Sequence, residues 1–202
     1  MIYQLSRPTN ESDDSAYACV TGGGEEMQRI PKCQCGKYMV PTGKVLPLQI
    51  TLYGSLVKDI VWCDGHEFVV NRRLARILEE NRITGYIEYC VNVAEWLEGG
   101  RSIFFRRLLT RGVLRYLHVV GNGGKARTHT PGIEVESNCN VCGSTEYSPT
   151  SSSIVLSRSE YDGSDVFFCE EYGYLFVSER VKILFEENNI GNYDITEVEL
   201  RQ

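Results

Sequence analysis

Two cysteine turns hold most of the chemistry this sequence can do. Cys139-Asn140-Val141-Cys142-Gly143 is a C-x-x-C-G unit. Two intervening residues let both sulfurs face one ion, and the glycine relieves crowding where the chain reverses. Cys33-Gln34-Cys35-Gly36 is a C-x-C-G unit with a tighter bite. Four sulfurs complete a tetrahedral shell, so the first expectation is one structural zinc shared by Cys33, Cys35, Cys139 and Cys142. The competing reading leaves both turns metal-free, with thiols acting as small buried apolar groups. A third arrangement gives each half its own ion. Cys63 and Cys169 would then add a sulfur each, with His66 as a fourth ligand in the first half. Both cysteines stand beside aromatic residues (Trp62, Phe167, Phe168), which favours a core thiol. Cys19 and Cys90 have no partner at ligand spacing and read as ordinary thiols.

Catalysis finds little support. His66, His118 and His129 are scattered, and none belongs to a helical ligand pattern such as H-E-x-x-H. Gly121-Asn122-Gly123-Gly124-Lys125 lacks the spacing of a phosphate loop and reads as a turn. Four cysteines would also fill the coordination shell, leaving no open position for a substrate. The expectation is a protein that is not an enzyme.

The elements that must position these turns recur at a fixed offset. Cys35-Gly36 lies 107 residues before Cys142-Gly143. The same offset joins Val70 to Val177, Arg73 to Arg180, Glu79 to Glu186, Glu80 to Glu187, Asn81 to Asn188, Ile83 to Ile190 and Tyr86 to Tyr193. A constant offset over a cysteine turn and a helical stretch implies duplication. Asn71 and Ser178 are the expected helix caps, with apolar stripes Leu74/Ile77/Leu78 and Val181/Leu184/Phe185. Strands are expected over 2–6, 46–52, 59–63, 86–91, 113–120 and 193–200. A surface loop is expected from Arg7 to Gly24, and a short helix from Arg101 to Arg111. The resulting expectation is an α+β fold of two related halves. Each half has a cysteine turn, strands and one amphipathic helix. The parts are 1–93, a connecting segment 94–132 whose glycine-rich end 121–132 is the internal boundary, and 133–202, together forming one compact unit.

Composition sets the bounds. The 202 residues carry 21 basic and 27 acidic side chains, a net charge of −6, and ordinary hydrophobic and charged fractions of 42% and 24%. A core of useful size is affordable at this length. The acidic balance and the absence of an aromatic–basic stripe argue against a general nucleic-acid binder. The N-terminal residues show no basic region leading into an apolar run. Apolar stretches fall short of the ~20 residues a membrane helix needs. A cytoplasmic location without membrane contact is therefore expected, where close cysteine pairs hold metal more often than they form disulfides.

The cysteine turns, the run Phe68-Val69-Val70-Asn71-Arg72-Arg73 and the segment Leu175-Phe176-Val177-Ser178-Glu179-Arg180 resemble the double-CXXCG family of myxobacterial-type immunity proteins. The departure is the first turn, C-x-C-G in place of C-x-x-C-G, which bears on the identity of one metal ligand. The resemblance implies an antidote in a polymorphic toxin system that binds and neutralises one cognate protein toxin. The helix pairs Glu79-Glu80 and Glu186-Glu187 and the acidic loop around Asp162 and Asp165 are candidate contacts for such a partner. The alternative class is a zinc-ribbon adaptor in a nucleic-acid process, where paired cysteine knuckles are common. Nothing in the sequence indicates the oligomeric state.

Overall fold

The computed structural model describes residues 1–8, 17–22, 31–36, 48–54, 57–63, 67–97, 113–148, 153–171 and 173–202. Its strands are β1 (Ile2–Ser6), β2 (Tyr17–Gly22), β3 (Leu48–Tyr53), β4 (Ile60–Trp62), β5 (Phe68–Asn71), β6 (Tyr86–Leu97) and β7 (Leu114–Val119). The later ones are β8 (Gly121–Asn122), β9 (Val135–Asn138), β10 (Thr145–Tyr147), β11 (Val155–Ser157), β12 (Val166–Phe168), β13 (Leu175–Ser178) and β14 (Asp194–Arg201). Among the described residues there are two α-helices, α1 (Arg72–Glu80) and α2 (Glu179–Glu187), of nine residues each. Strands take 47% of the described residues and helical turns 14%, so the expected α+β class is wrong and the protein is mostly β. The expected helix at 101–111 lies outside the described residues.

One six-stranded sheet has the order β11-β14-β1-β13-β12-β8, the other β2-β3-β6-β7-β5-β4. β1, from the start of the chain, is the antiparallel neighbour of both β13 and β14, with Ile2 opposite Ser178 and Val198. β7 stands in the same way between β5 and β6, with Phe68 opposite Leu117 and Tyr86 opposite Val119. β1 thus joins strands from the far end of the chain, whereas β7 pairs with the strands that precede it in sequence. β3 and β11 complete the parallel by running alongside β6 and β14 in the parallel sense.

Short apolar runs explain why these strands form. Phe68-Val69-Val70, Val166-Phe167-Phe168 and Leu175-Phe176-Val177 are almost wholly apolar and buried, as expected of strands covered on both faces. Phe68, Val70, Val166, Leu175 and Val177 enter a central core with the helix residues Leu74, Leu78, Val181 and Phe185. The alternate residues Phe167 and Phe176 pack with Ile2 and Leu156, while Val69 packs with Ile50 and Leu52. The expected 7–24 loop is in part a strand, because Tyr17-Ala18-Cys19-Val20 pairs with β3. The stretch 121–132 is packed rather than loose: Ala126 is fully buried, and Thr130 exchanges hydrogen bonds with Val155. β6 runs to Leu97, past position 93.

Both helices start and stop in related ways. Asn71 caps α1 through its side-chain oxygen, which accepts from Leu74 N at 2.8 Å. Ser178 occupies the equivalent position but does not cap; its hydroxyl donates to Asp165 Oδ1 at 2.8 Å. Asn81 and Asn188 end the helices, followed by left-handed Arg82 and Asn189. Arg73 donates to the carbonyl of Asn188, and Arg180 to the carbonyl of Asn81, so each helix supplies a cation to the other's C-terminus.

Asp165 anchors this seam. Its carboxylate accepts from Thr84 N, Thr84 Oγ1, Ser178 Oγ and Arg180 Nη1 at 2.8–3.1 Å, and the residue is only 8% exposed. Asp165→Ala would leave several donors unanswered at once. It is expected to cost about 3 kcal/mol in urea unfolding, and Asp165→Asn less. A loss under about 0.5 kcal/mol for the alanine variant would contradict the hub.

Candidate metal centre

The second cysteine turn sits at the tip of the β9–β10 hairpin. Gly143 N donates to Cys139 O at 2.8 Å, and Cys139 N donates to Ser144 O at 2.8 Å. The first turn closes the same way, with Gly36 N donating to Cys33 O at 2.8 Å. Gly36 and Gly143 have φ of 88° and 71°, a left-handed conformation that favours glycine. Each glycine therefore lets a one- or two-residue spacer bring its two sulfurs to the same side.

The structure brings together Cys33, Cys35, Cys139 and Cys142, whose four Sγ atoms all lie within 4.8 Å of one another. Cys33 Sγ is 3.5 Å from Cys139 Sγ, and Cys35 Sγ is 3.6 Å from Cys142 Sγ. These distances exceed an S–S bond of about 2.05 Å. They match the edge of about 3.8 Å that follows from a tetrahedron with metal–sulfur bonds of about 2.3 Å. The donor set and its spacing can therefore hold a metal ion. Cys33 is buried, Cys139 and Cys142 are half-buried, and Cys35 is exposed, so the centre lies at the surface with one protected edge.

Without an ion the thiols perturb one another. The backbone N–H groups of Cys142 and Val141, and then the Cys33 sulfur, hold the Cys139 thiol down to about 6. The backbone N–H of Cys35 favours the Cys33 thiolate, but burial and the sulfurs of Cys139, Cys35 and Cys142 together push Cys33 up to about 12. One thiolate thus hydrogen-bonds to a neighbouring thiol. Four thiolates at these distances would repel strongly, and a divalent cation neutralises that repulsion.

Packing alone does little for this hairpin. All four residues of β9 are exposed and β10 is at most half-buried. A lone two-stranded ribbon is marginal in water, so the sulfur cluster is its main attachment to residues 31–36.

The other candidate ligands lie apart. Cys63 directs its thiol to Val61 O at 3.8 Å, and Cys169 is buried among Ile2, Leu156, Phe167 and Phe176. Neither joins a metal-type cluster among the described residues, and His66 lies outside them. All eight cysteines are outside disulfides.

The acidic candidates are only partly available. Glu79, Glu80, Glu186 and Glu187 are exposed, and Glu186 pairs with Lys182 at 2.7 Å. Asp165 is withdrawn into the seam described above, which removes it as a partner contact. Asp162 turns its carboxylate inward to Asn122 N and Ser164 N, both at 2.8 Å. Partial burial opposes its charge, but those two N–H groups hold its carboxyl below the ordinary range. Sequence reasoning missed the linking role of Asp165. The signal was Asp59, which lies 106 residues earlier and pairs with Arg73 at 2.9 Å as Asp165 pairs with Arg180.

No protein-family model matches the chain, and no curated protein matches it. Among the described residues, no helix is long and apolar enough to cross a membrane.

Proposed function

We propose that this chain is a cytoplasmic immunity protein that binds one protein toxin stoichiometrically, turns over no substrate, and is braced by one structural zinc. The four-sulfur cluster carries the reading. It unites in space the two glycine-closed turns on which the resemblance to double-CXXCG immunity proteins rests. Zinc is the ion of choice because a four-thiolate tetrahedron suits a redox-inert cation and leaves no coordination position open for catalysis. The net charge of −6 supports fast encounter with a basic toxin, with an association rate that falls as salt rises.

The test begins with the adjacent gene, expected to encode a large secreted protein with a C-terminal toxin domain. Co-expression with that domain should rescue growth, and the two should co-purify in equal amounts. Absence of rescue and of a complex would reject the immunity reading. Salt-sensitive retention of DNA or RNA at micromolar protein would instead favour a zinc-ribbon adaptor.

A further inference from the structure

The ends of strands from both sheets enclose a cavity of about 240 Å³ that shares no residue with the four-cysteine centre. Ser6 ends β1 and Arg7 follows it, Trp62 closes β4, Glu67 precedes β5 and Phe68 opens it, and Tyr174 precedes β13. The wall is mostly apolar, with the aromatic residues Trp62, Phe68 and Tyr174, one acidic side chain, Glu67, and one basic side chain, Arg7. Trp62 is fixed by its indole N–H, which donates to Asn192 O at 2.6 Å. Tyr174 is 38% exposed. The exposed Arg7 holds its guanidinium 5.5 Å above the Tyr17 ring.

Among the described residues, two buried side-chain oxygens have no hydrogen-bond partner: Glu67 Oε2 and Glu171 Oε1. Glu171 Oε1 has Arg127 Nε 3.7 Å away, which offsets its charge. Glu67 belongs to the cavity wall. A carboxylate oxygen withdrawn from water without a donor is unfavourable and calls for an explanation, and a bound cation supplies one. Aromatic faces attract the same class of group. The volume is below the roughly 300–1,000 Å³ of sites for drug-sized ligands, so the occupant is the size of a side chain.

We infer that this cavity binds an ammonium or guanidinium group on a short alkyl stem, with Glu67 taking the charge and Trp62, Phe68 and Tyr174 covering the stem. Two sources carry that chemistry, a free small amine and the lysine or arginine side chain of a bound protein. The inference stands whether or not the immunity reading holds.

The protein's two tryptophans make the test local. Trp62 lines the cavity, whereas Trp96 hydrogen-bonds to Gly54 O elsewhere and serves as an internal control. Indole N–H resonances of ¹⁵N-labelled full-length protein would be followed during titration with n-butylammonium, n-butylguanidinium and n-butanol. The Trp62 signal should move saturably with either cation, with a Kd on the order of 1 mM for fragments this small. Trp96 should stay still and n-butanol should have no effect. Glu67→Gln should weaken the response by about tenfold or more. It should also melt no lower than the parent, since it removes a buried, unanswered charge. Tyr174→Leu, at the exposed rim, should weaken the response independently. Movement of Trp62 with Nα-acetyl-lysine N-methylamide identifies a protein side chain as an admissible source; movement with n-butylammonium alone identifies a free amine. Equal responses to n-butanol, an undiminished response in Glu67→Gln, or no movement of Trp62 by either cation at about ten times the expected Kd would overturn the inference.

Discussion

Stripping the metal, or substituting Cys142→Ser, is expected to lower stability by about 5 kcal/mol, the loop-entropy estimate for a link spanning roughly a hundred residues. The link joins Cys33 and Cys35 to positions 106 and 107 residues later. Zinc-finger peptides derive about 10–16 kcal/mol from their ion, but they have almost no other core. Here three apolar clusters exist independently of the centre, so the smaller figure applies. The protein should carry one zinc per chain when purified without added metal. Chelator should then lower its melting temperature and release the amides of Gly36 and Gly143 to hydrogen exchange. Cys90→Ser, on an exposed position of β6, is the matched control and should stay within about 0.5 kcal/mol of the parent. Protein that contains no metal and melts identically in chelator would remove the structural-zinc reading.

The cysteine centre was legible because its signal is local: a short spacer and a glycine bring two sulfurs together, and only their partner pair must be found. The helix stripes were legible for a similar reason. Leu74, Ile77, Leu78, Val181, Leu184 and Phe185 are buried as their spacing requires. The fold class was not legible, because nine-residue helices give clear periodicity while three-residue strands such as β11 and β12 give almost none. The placement of β1 between β13 and β14 was equally hidden. Alternation along Ile2–Ser6 shows which residues face inward but does not say which strand lies alongside. Tyr17–Val20 was lost in a polar surrounding.

Gly85→Ala is expected to be among the most damaging single substitutions, with a loss of about 4 kcal/mol or more. Gly85 lies between α1 and β6 with φ of 94°, where an L side chain is already strained. The larger effect is steric. A Cβ there would lie 1.9 Å from Val166 O and 2.8 Å from Ser164 Cβ. The obstacle cannot step aside cheaply, because Val166 N donates to Thr84 O at 3.0 Å and β12 is paired with β13. Gly85 is held from the other side, since its carbonyl accepts from Val120 N and Gly121 N at 2.8 and 3.0 Å. This approach brings the α1–β6 turn of one sheet against β12 of the other. Gly163→Ala separates the two causes: its φ is 85°, but nothing lies within 4 Å of the added Cβ. It should cost only the roughly 1–2 kcal/mol of the left-handed backbone. Urea unfolding of both variants makes the comparison. Equal losses would mean that backbone conformation alone governs Gly85 and that the two sheets do not meet as closely as Val166 O requires.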